Sequence, residues 1–322
     1  MRKFNRTTIM FLAALFSVTV VCEDLPKELS KAREGLRGSD VLDLHPASEG
    51  QVWASTSDGL FLIDQKNGRQ QAVRGPTKHW YVSGVTTDKN GMAWTASANG
   101  IYTVDLKKGT VNAIIPDTPA SSVAVDSKNA VWGATPRDGV VSIVDQKPAR
   151  WYKTSDGLPS NQVFDVFSSK DGKIWAGTEK GLAVMDGSVW RAVGTPENRA
   201  VYSIAEQGGK LFAGTSDGVY FGDSSRALWG RLPGSGGKVI TAIAAWGKGL
   251  YVGTKDGTIL WYDVGDLSKS AQELGKGGAW FSGSPVTSIT PLDDPATVLV
   301  GSFGAGLVWA HESDHATGTS KK

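Results

Sequence analysis

The chain of 322 residues holds a single cysteine, Cys22. One thiol can build neither an intrachain disulfide framework nor a cysteine-based zinc site. Histidine is almost as scarce: His45, His79, His311 and His315 are all there are. An excess of one charge is also lacking. Lys plus Arg number 34 against 32 Asp plus Glu, a net charge of +2. That balance, with no block of like charge, leaves no electrostatic footprint for nucleic acid. The apolar run near the N-terminus is too short for a comfortable membrane span, and no later stretch reaches spanning length. Hydrophobic residues at 40% exclude extended disorder. What is abundant is glycine, at 40, and tryptophan, at 12. Many tight turns and many large anchoring side chains together favour an all-β repeat protein.

The N-terminus reads as an address. Arg2, Lys3 and Arg6 precede an apolar run from Ile9 to Val21 that only Ser17 and Thr19 interrupt. A basic segment followed by a short apolar one is the pattern of a secretory signal peptide, assigned to residues 1–22. Cleavage after Cys22 removes the only thiol. The competing reading makes Cys22 a lipidated N-terminus, although Val21 and Thr19 stand where a lipobox usually carries a small residue and Leu. An uncleaved membrane anchor is a third option.

Self-similarity at a fixed period is the main signal. An aromatic residue, two small residues and a Thr or Ser precede a turn that ends in Gly. Trp53-Ala-Ser-Thr56 leads to Gly59, Trp94-Thr-Ala-Ser97 to Gly100, and Trp132-Gly-Ala-Thr135 to Gly139. Trp175-Ala-Gly-Thr178, Phe212-Ala-Gly-Thr215 and Tyr251-Val-Gly-Thr254 lead to Gly181, Gly218 and Gly257, and a degenerate Leu299-Val-Gly-Ser302 leads to Gly306. These glycines are 41, 39, 42, 37, 39 and 49 residues apart. A period near 40 with several short strands per unit is the length of a propeller blade. Helical solenoids share the period but need helical periodicity and tolerate few glycines.

One unit parses in full. Val163–Phe167 alternates as a half-buried strand, and Lys170-Asp171-Gly172 is a hairpin signal. Ile174–Thr178, Leu182–Met185 and Val189–Val193 follow as the second, third and fourth strands. The last copy, from Val286 to His311, supplies only three strands. Val41-Leu-Asp-Leu44 matches Val163-Phe-Asp-Val166, so Glu28–Ala32 falls where an outer strand belongs and has no preceding blade to join. It is expected to complete the seventh blade and close the ring. The alternative is a disordered or helical leader over residues 23–34.

The run Trp151-Tyr-Lys-Thr-Ser-Asp-Gly-Leu-Pro-Ser-Asn161, followed by Asp171-Gly-Lys-Ile-Trp-Ala-Gly-Thr178 and Gly181-Leu182, resembles the two-component regulator propeller repeat. The other copies match in part. The resemblance implies a propeller of the kind that forms extracytoplasmic input regions of sensor kinases, or a stand-alone exported member. Only a polar tail, residues 312–322, follows the last strand, so a signalling role implies a partner. A weaker resemblance is to the streptogramin B lyase propellers, which use a site of His and acidic residues.

Chemistry is hard to find. His45 ends the first inner strand beside Pro46, at the predicted opposite-face turn, and His311 and His315 lie in or beside the tail. Only His79 falls in a loop on the presumed binding face, and one His without a second argues against a histidine metal site. The Asp-Gly pairs at 58, 138, 171, 217 and 256 read as hairpin turns. Gly234-Ser-Gly-Gly237 reads as a flexible interblade loop, because no helix or Gly-Lys-Ser/Thr follows. Trp53, Trp94, Trp132 and Trp175 share one repeat position and read as interblade packing; Trp151, Trp190 and Trp229 fall on outer strands. Trp80 and Trp280 break the repeat. His79, Trp80, Tyr81, Trp280 and Phe281 are therefore the candidate stacking residues, weighed against the reading that they merely cover the rim. Arg74, Lys78, Arg137, Asn198 and Arg199 fall on the same face and could meet anions or carboxylates. Glu197 is the acid to test beside His79 for a lyase.

The sequence thus predicts an all-β, seven-bladed β-propeller of four-stranded antiparallel blades over residues 23–311, closed by an N-terminal strand. The expected function is non-catalytic binding of an envelope protein, with a small-molecule or glycan ligand as the nearest variant and a propeller-type lyase or hydrolase as the alternative. No cofactor, metal or nucleic acid is expected. The expected location is the periplasm or outside the cell, or a membrane surface through lipid on Cys22.

Overall fold

The computed structural model describes residues 29–36, 39–48, 50–194, 196, 198–223, 229–274, 281, 283–292 and 297–312. The signal-peptide region, Cys22, Glu197, Trp280 and the tail beyond Glu312 lie outside them.

Seven four-stranded antiparallel sheets form the ring. The first strand, β1 (Leu29–Gly35), stands apart from the blade that follows it. Blade 1 is β2 (Val41–Pro46), β3 (Gln51–Thr56), β4 (Gly59–Asp64) and β5 (Gln70–Val73). Blade 2 is β6 (Val82–Thr87), β7 (Ala93–Ser97), β8 (Gly100–Asp105) and β9 (Thr110–Pro116). Blade 3 is β10 (Ser122–Val125), β11 (Val131–Thr135), β12 (Gly139–Val144) and β13 (Lys147–Tyr152). Blade 4 is β14 (Val163–Ser168), β15 (Ile174–Thr178), β16 (Gly181–Asp186) and β17 (Val189–Ala192). Blade 5 is β18 (Val201–Gln207), β19 (Lys210–Thr215), β20 (Gly218–Asp223) and β21 (Trp229–Arg231). Blade 6 is β22 (Ile240–Trp246), β23 (Gly249–Thr254), β24 (Ile259–Asp263) and β25 (Gln272–Leu274). Blade 7 is β26 (Val286–Pro291), β27 (Thr297–Ser302) and β28 (Gly306–Glu312), with β1 as its outer strand.

The expected closure is present: β1 runs antiparallel to β28, from Leu29 opposite Glu312 to Gly35 opposite Leu307. The strand lies at Leu29–Gly35, slightly later than the expected Glu28–Ala32. Pairing the chain's ends in one sheet covers the edge of β28 that three strands alone would leave open.

The repeat motif is a turn code. In Thr56, Ser97, Thr135, Thr178 and Thr215 the side-chain hydroxyl donates to the carbonyl of the repeat glycine. It also accepts an N–H from within the turn, as Thr56 does from Asp58 at 3.1 Å. All seven repeat glycines have positive φ, from 81° at Gly306 to 141° at Gly59. A Cβ on Gly100 would stand 2.0 Å from the Ile115 carbonyl oxygen, so backbone conformation and space both demand glycine. The glycine before the Thr or Ser has a different task. A Cβ on Gly253 would meet Val286 at 2.4 Å, in the neighbouring blade.

The repeated tryptophans are packing residues, and three of the four are fixed at one end. Trp53, Trp94, Trp132 and Trp175 are all buried. The indole N–H of Trp94 reaches Asp88 and that of Trp132 reaches Asp126, both at 3.1 Å, while Trp175 reaches the Ser169 hydroxyl at 3.2 Å. Apolar clusters fill the spaces between adjacent blades; one joins Trp132, Tyr152 and Trp190 with Val163 and Ala176. The loop read as flexible is pinned instead. Ser235 is fully buried, accepts the Val219 N–H at 3.1 Å and donates to the Leu232 carbonyl at 2.8 Å.

Candidate functional site

Two regions concentrate polar chemistry: the axial channel and the face of loops that lead into the inner strands. The channel encloses about 450 Å³ and is walled by the inner strands of all seven blades. Six of these strands carry a register shift near their start, between Val41 and Asp43 in blade 1 and at the matching place in blades 2, 4, 5, 6 and 7. A bulge bends the strand and re-aims the next residue. The residues so placed are Asp43, Gly84, Asp165, Ser203, Ala242 and Ser288, with Ser122 at the start of the blade 3 inner strand.

Where this residue is polar, it holds the next blade. Asp43 accepts the Val85 N–H at 3.0 Å, and Asp165 accepts the Ile204 N–H at 2.9 Å. Ser203 accepts from Ile243 at 3.1 Å, and Ser288 accepts from Leu44 at 3.0 Å across the closure. One residue earlier, hydroxyls form a second tier. Ser83 and Ser121 each donate at 2.7 Å to the next blade, to Ala120 and Val163 carbonyls. Thr241 and Thr287 do the same at 2.5 Å, to Val286 and Val41.

Burial pushes the Asp43 carboxyl up to about 6, against the hydrogen bonds from Val85, Leu44 and Ser288 that favour its charge. Burial pushes Asp165 further, to about 7, and the charge of Asp43 adds to the rise. His45 stands at the end of the first inner strand, as expected. It belongs to β2, opposite Trp53, and lines the channel, where burial lowers it to about 4 and keeps it neutral at physiological pH. Asp43 and Asp165 were not singled out from the sequence. The signal was present: Val41-Leu-Asp43-Leu and Val163-Phe-Asp165-Val place a carboxylate at one position of two otherwise apolar inner strands.

The loop face carries the residues proposed from the sequence. A backbone bond ties the turn after β7 to the residue before β6, Ala98 N–H to the Tyr81 carbonyl at 3.0 Å; Ser216 and Ala200 repeat it at 3.0 Å in blade 5. His79, Tyr81, Arg137, Asn198 and Arg199 therefore share one face but lie in separate sectors. The first two enter blade 2, Arg137 caps blade 3, and the last two enter blade 5. Tyr81 is 39% exposed, and His79, Arg137 and Asn198 are exposed. Arg199 lies 3.4 Å from Asp217 and 5.5 Å from the Tyr220 ring, so blade 5 already engages it.

Two stacking candidates are core residues. Trp80 is 1% exposed and packs edge-on against Tyr102 at 5.9 Å, in a cluster with Leu60, Val82 and Val85. Phe281 is 2% exposed and sits among Ile259, Trp261 and Val286. Breaking the repeat marked a loop aromatic, but not which way it points; both turn inward and plug the gap between blades. Above Trp80, the loop from Val73 to Lys78 roofs a cleft of about 420 Å³ that Asp58, Arg74, Thr77 and Lys78 help to line. Gly75 lies so close to the indole that a Cβ would stand 2.6 Å from it. Arg74, Lys78 and Arg137 form no ion pair with the described residues.

Among the described residues, no three His, Cys, Asp or Glu side chains are grouped to hold a metal ion. No helix among them is long and apolar enough to cross a membrane.

Residues 157–180 match the family described as the two component regulator propeller. No curated protein sequence matches the chain. By structure, it is similar to the extracellular domain of the hybrid two component system BT4673 from B. thetaiotaomicron, at 18% identity and a TM-score of 0.74 over 88% of this chain. The chain spans only 39% of that domain. It is also similar to virginiamycin B lyase from Staphylococcus aureus, at 15% identity and a TM-score of 0.72, covering 89% of this chain and 99% of the lyase. The WD40 propeller of Doa1 gives 13% identity and a TM-score of 0.74, over 89% and 97%. At these identities the likeness concerns the fold.

Proposed function

We propose that this chain, which carries a two component regulator propeller repeat, is a non-catalytic recognition ring. It acts outside the cytoplasm and captures an envelope protein on its loop face, as an accessory to sensing. The observation that carries this reading is the pair Arg74 and Lys78. Both are exposed cations without an ion-pair partner among the described residues, above a cleft on a rigid ring. With His79 and Tyr81 beside them, they offer charge-assisted bonds and one aromatic surface to an acidic group of a partner. Arg137, Asn198 and Arg199 belong to the same proposed face.

The cleft's volume, about 420 Å³, favours a second reading, a small-molecule or glycan ligand, because it falls within the range of such sites. The lyase reading draws on fold likeness alone. It needs an acid, a base or a metal converging on one reacting atom, whereas Asp43 and Asp165 already hold neighbouring blades.

The test is cross-linking of the exported chain in its native envelope. One specific protein is expected, and a variant with Arg74→Glu and Lys78→Glu should lose it at unchanged melting temperature. Capture indifferent to both reversals contradicts the reading; loss of signal in screens of acidic glycans and small molecules as well removes the second.

A further inference from the structure

The face opposite the loops has its own pattern. In a four-stranded meander the first and third turns lie on one side of the ring. The register places Leu29 beside Glu312, so the chain enters β1 on that side, after the apolar run Ile9–Val21 and the segment that follows it. Four of the six large apolar side chains exposed among the described residues occupy its turns: Leu106, Val144 and Val189 on consecutive blades 2, 3 and 4, and Trp246 on blade 6. They are 42–47% exposed.

The charges on this face are sorted by depth. Several of its aspartates fold back to cap their own turns, while Asp145, Asp171, Asp186 and Asp223 are exposed. Asp88 accepts the N–H groups of Asn90 and Met92 and the Trp94 indole, and Asp126 accepts those of Lys128, Ala130 and Trp132. Asp105 accepts from Lys107 and Lys108. Lys107, Lys128, Lys147, Lys170 and Lys248 are exposed and form no ion pair with the described residues. The net charge of the face is modest, but five exposed ammonium groups without an ion pair among the described residues lie between its apolar tips.

We propose that this turn face docks on a bilayer surface bearing anionic headgroups. Lysines at an anionic membrane gain electrostatic attraction, while Leu, Val and Trp tips enter the interface. A ring held on the bilayer by this face presents Arg74, Lys78 and Tyr81 away from it. The inference stands independently of what the loop face binds.

All described strands and core clusters lie within residues 29–312, so a chain starting at Glu23 keeps the whole ring. That chain is expected to sediment with phosphatidylcholine vesicles containing phosphatidylglycerol, and not with phosphatidylcholine alone. Neutralising Lys107 and Lys147 to Gln should cost roughly five-fold in partitioning per residue. Leu106→Asp with Val144→Asp should abolish it, and Phe303→Asp, on the loop face, should leave it unchanged. All five positions are surface residues, and circular dichroism checks that each variant is folded. No sedimentation with anionic vesicles, or loss of it in Phe303→Asp but not in Leu106→Asp with Val144→Asp, overturns the proposal.

Discussion

Asp43 and Asp165 face one axial channel from blades 1 and 4, and each carboxylate holds the following blade through a backbone N–H, Val85 for the first and Ile204 for the second. Burial raises both, to about 6 and about 7. A carboxyl raised in the folded state takes up its proton more readily there than in the unfolded chain. Its stabilising contribution is therefore complete below the unfolded value and is lost as pH rises through the folded one. Between pH 8 and pH 5 these two carboxyls should make the ring more stable as pH falls, opposed below about pH 6.5 by His45, which burial holds neutral down to about 4 and which the unfolded chain protonates first. The gain should be a few kcal/mol at most, since each pKa unit is worth about 1.4 kcal/mol. Melting temperature against pH checks this. Asp43→Asn with Asp165→Asn should remove this gain and leave the opposing slope of His45, and parallel curves would contradict the assignment.

Blade 6 lacks a latch that blade 5 has. Ser203 accepts the Ile243 N–H, whereas Ala242, at the same place, has no hydroxyl to offer Ile289. Ala242→Ser should restore the bond and add about 0.5–1.5 kcal/mol. Chemical denaturation would read it as a higher midpoint at unchanged slope.

Trp80→Ala separates core from site. The side chain is 1% exposed, so truncation should cost about 3–5 kcal/mol of stability. Any loss of binding in that variant reports unfolding. Arg74→Glu should leave stability within about 0.5 kcal/mol, since exposed substitutions rarely do more.

Removing residues 23–35 from the exported chain deletes β1 and uncovers the edge of β28 from Glu312 to Leu307. The truncated chain should melt at a lower temperature and self-associate in analytical centrifugation, because an open edge is a template for pairing. A monomer of unchanged stability would show that β1 is dispensable for closure.

The architecture was legible because the turn code is made of local chemistry. A Thr or Ser hydroxyl, two or three turn residues and a positive-φ glycine announce a blade wherever they recur, as at Thr178 and Gly181. Closure was legible because Val41–Leu44 copies Val163–Val166. The channel was less so. Asp43 and Asp165 act on residues of neighbouring blades, some 40 positions away, and only the ring brings those N–H groups to them. The loop aromatics mislead for a related reason. Trp80 and Tyr81 are adjacent in sequence and alike in composition, but the first packs on Tyr102 and the second faces solvent.

The central claim is that recognition happens on the loop face. A photo-cross-linking amino acid at Tyr81, compared with one at Val144, tests it most directly in the native envelope. The account predicts one protein partner trapped from Tyr81 and none from Val144. A protein trapped from Val144 alone, or equally from both positions, would contradict it.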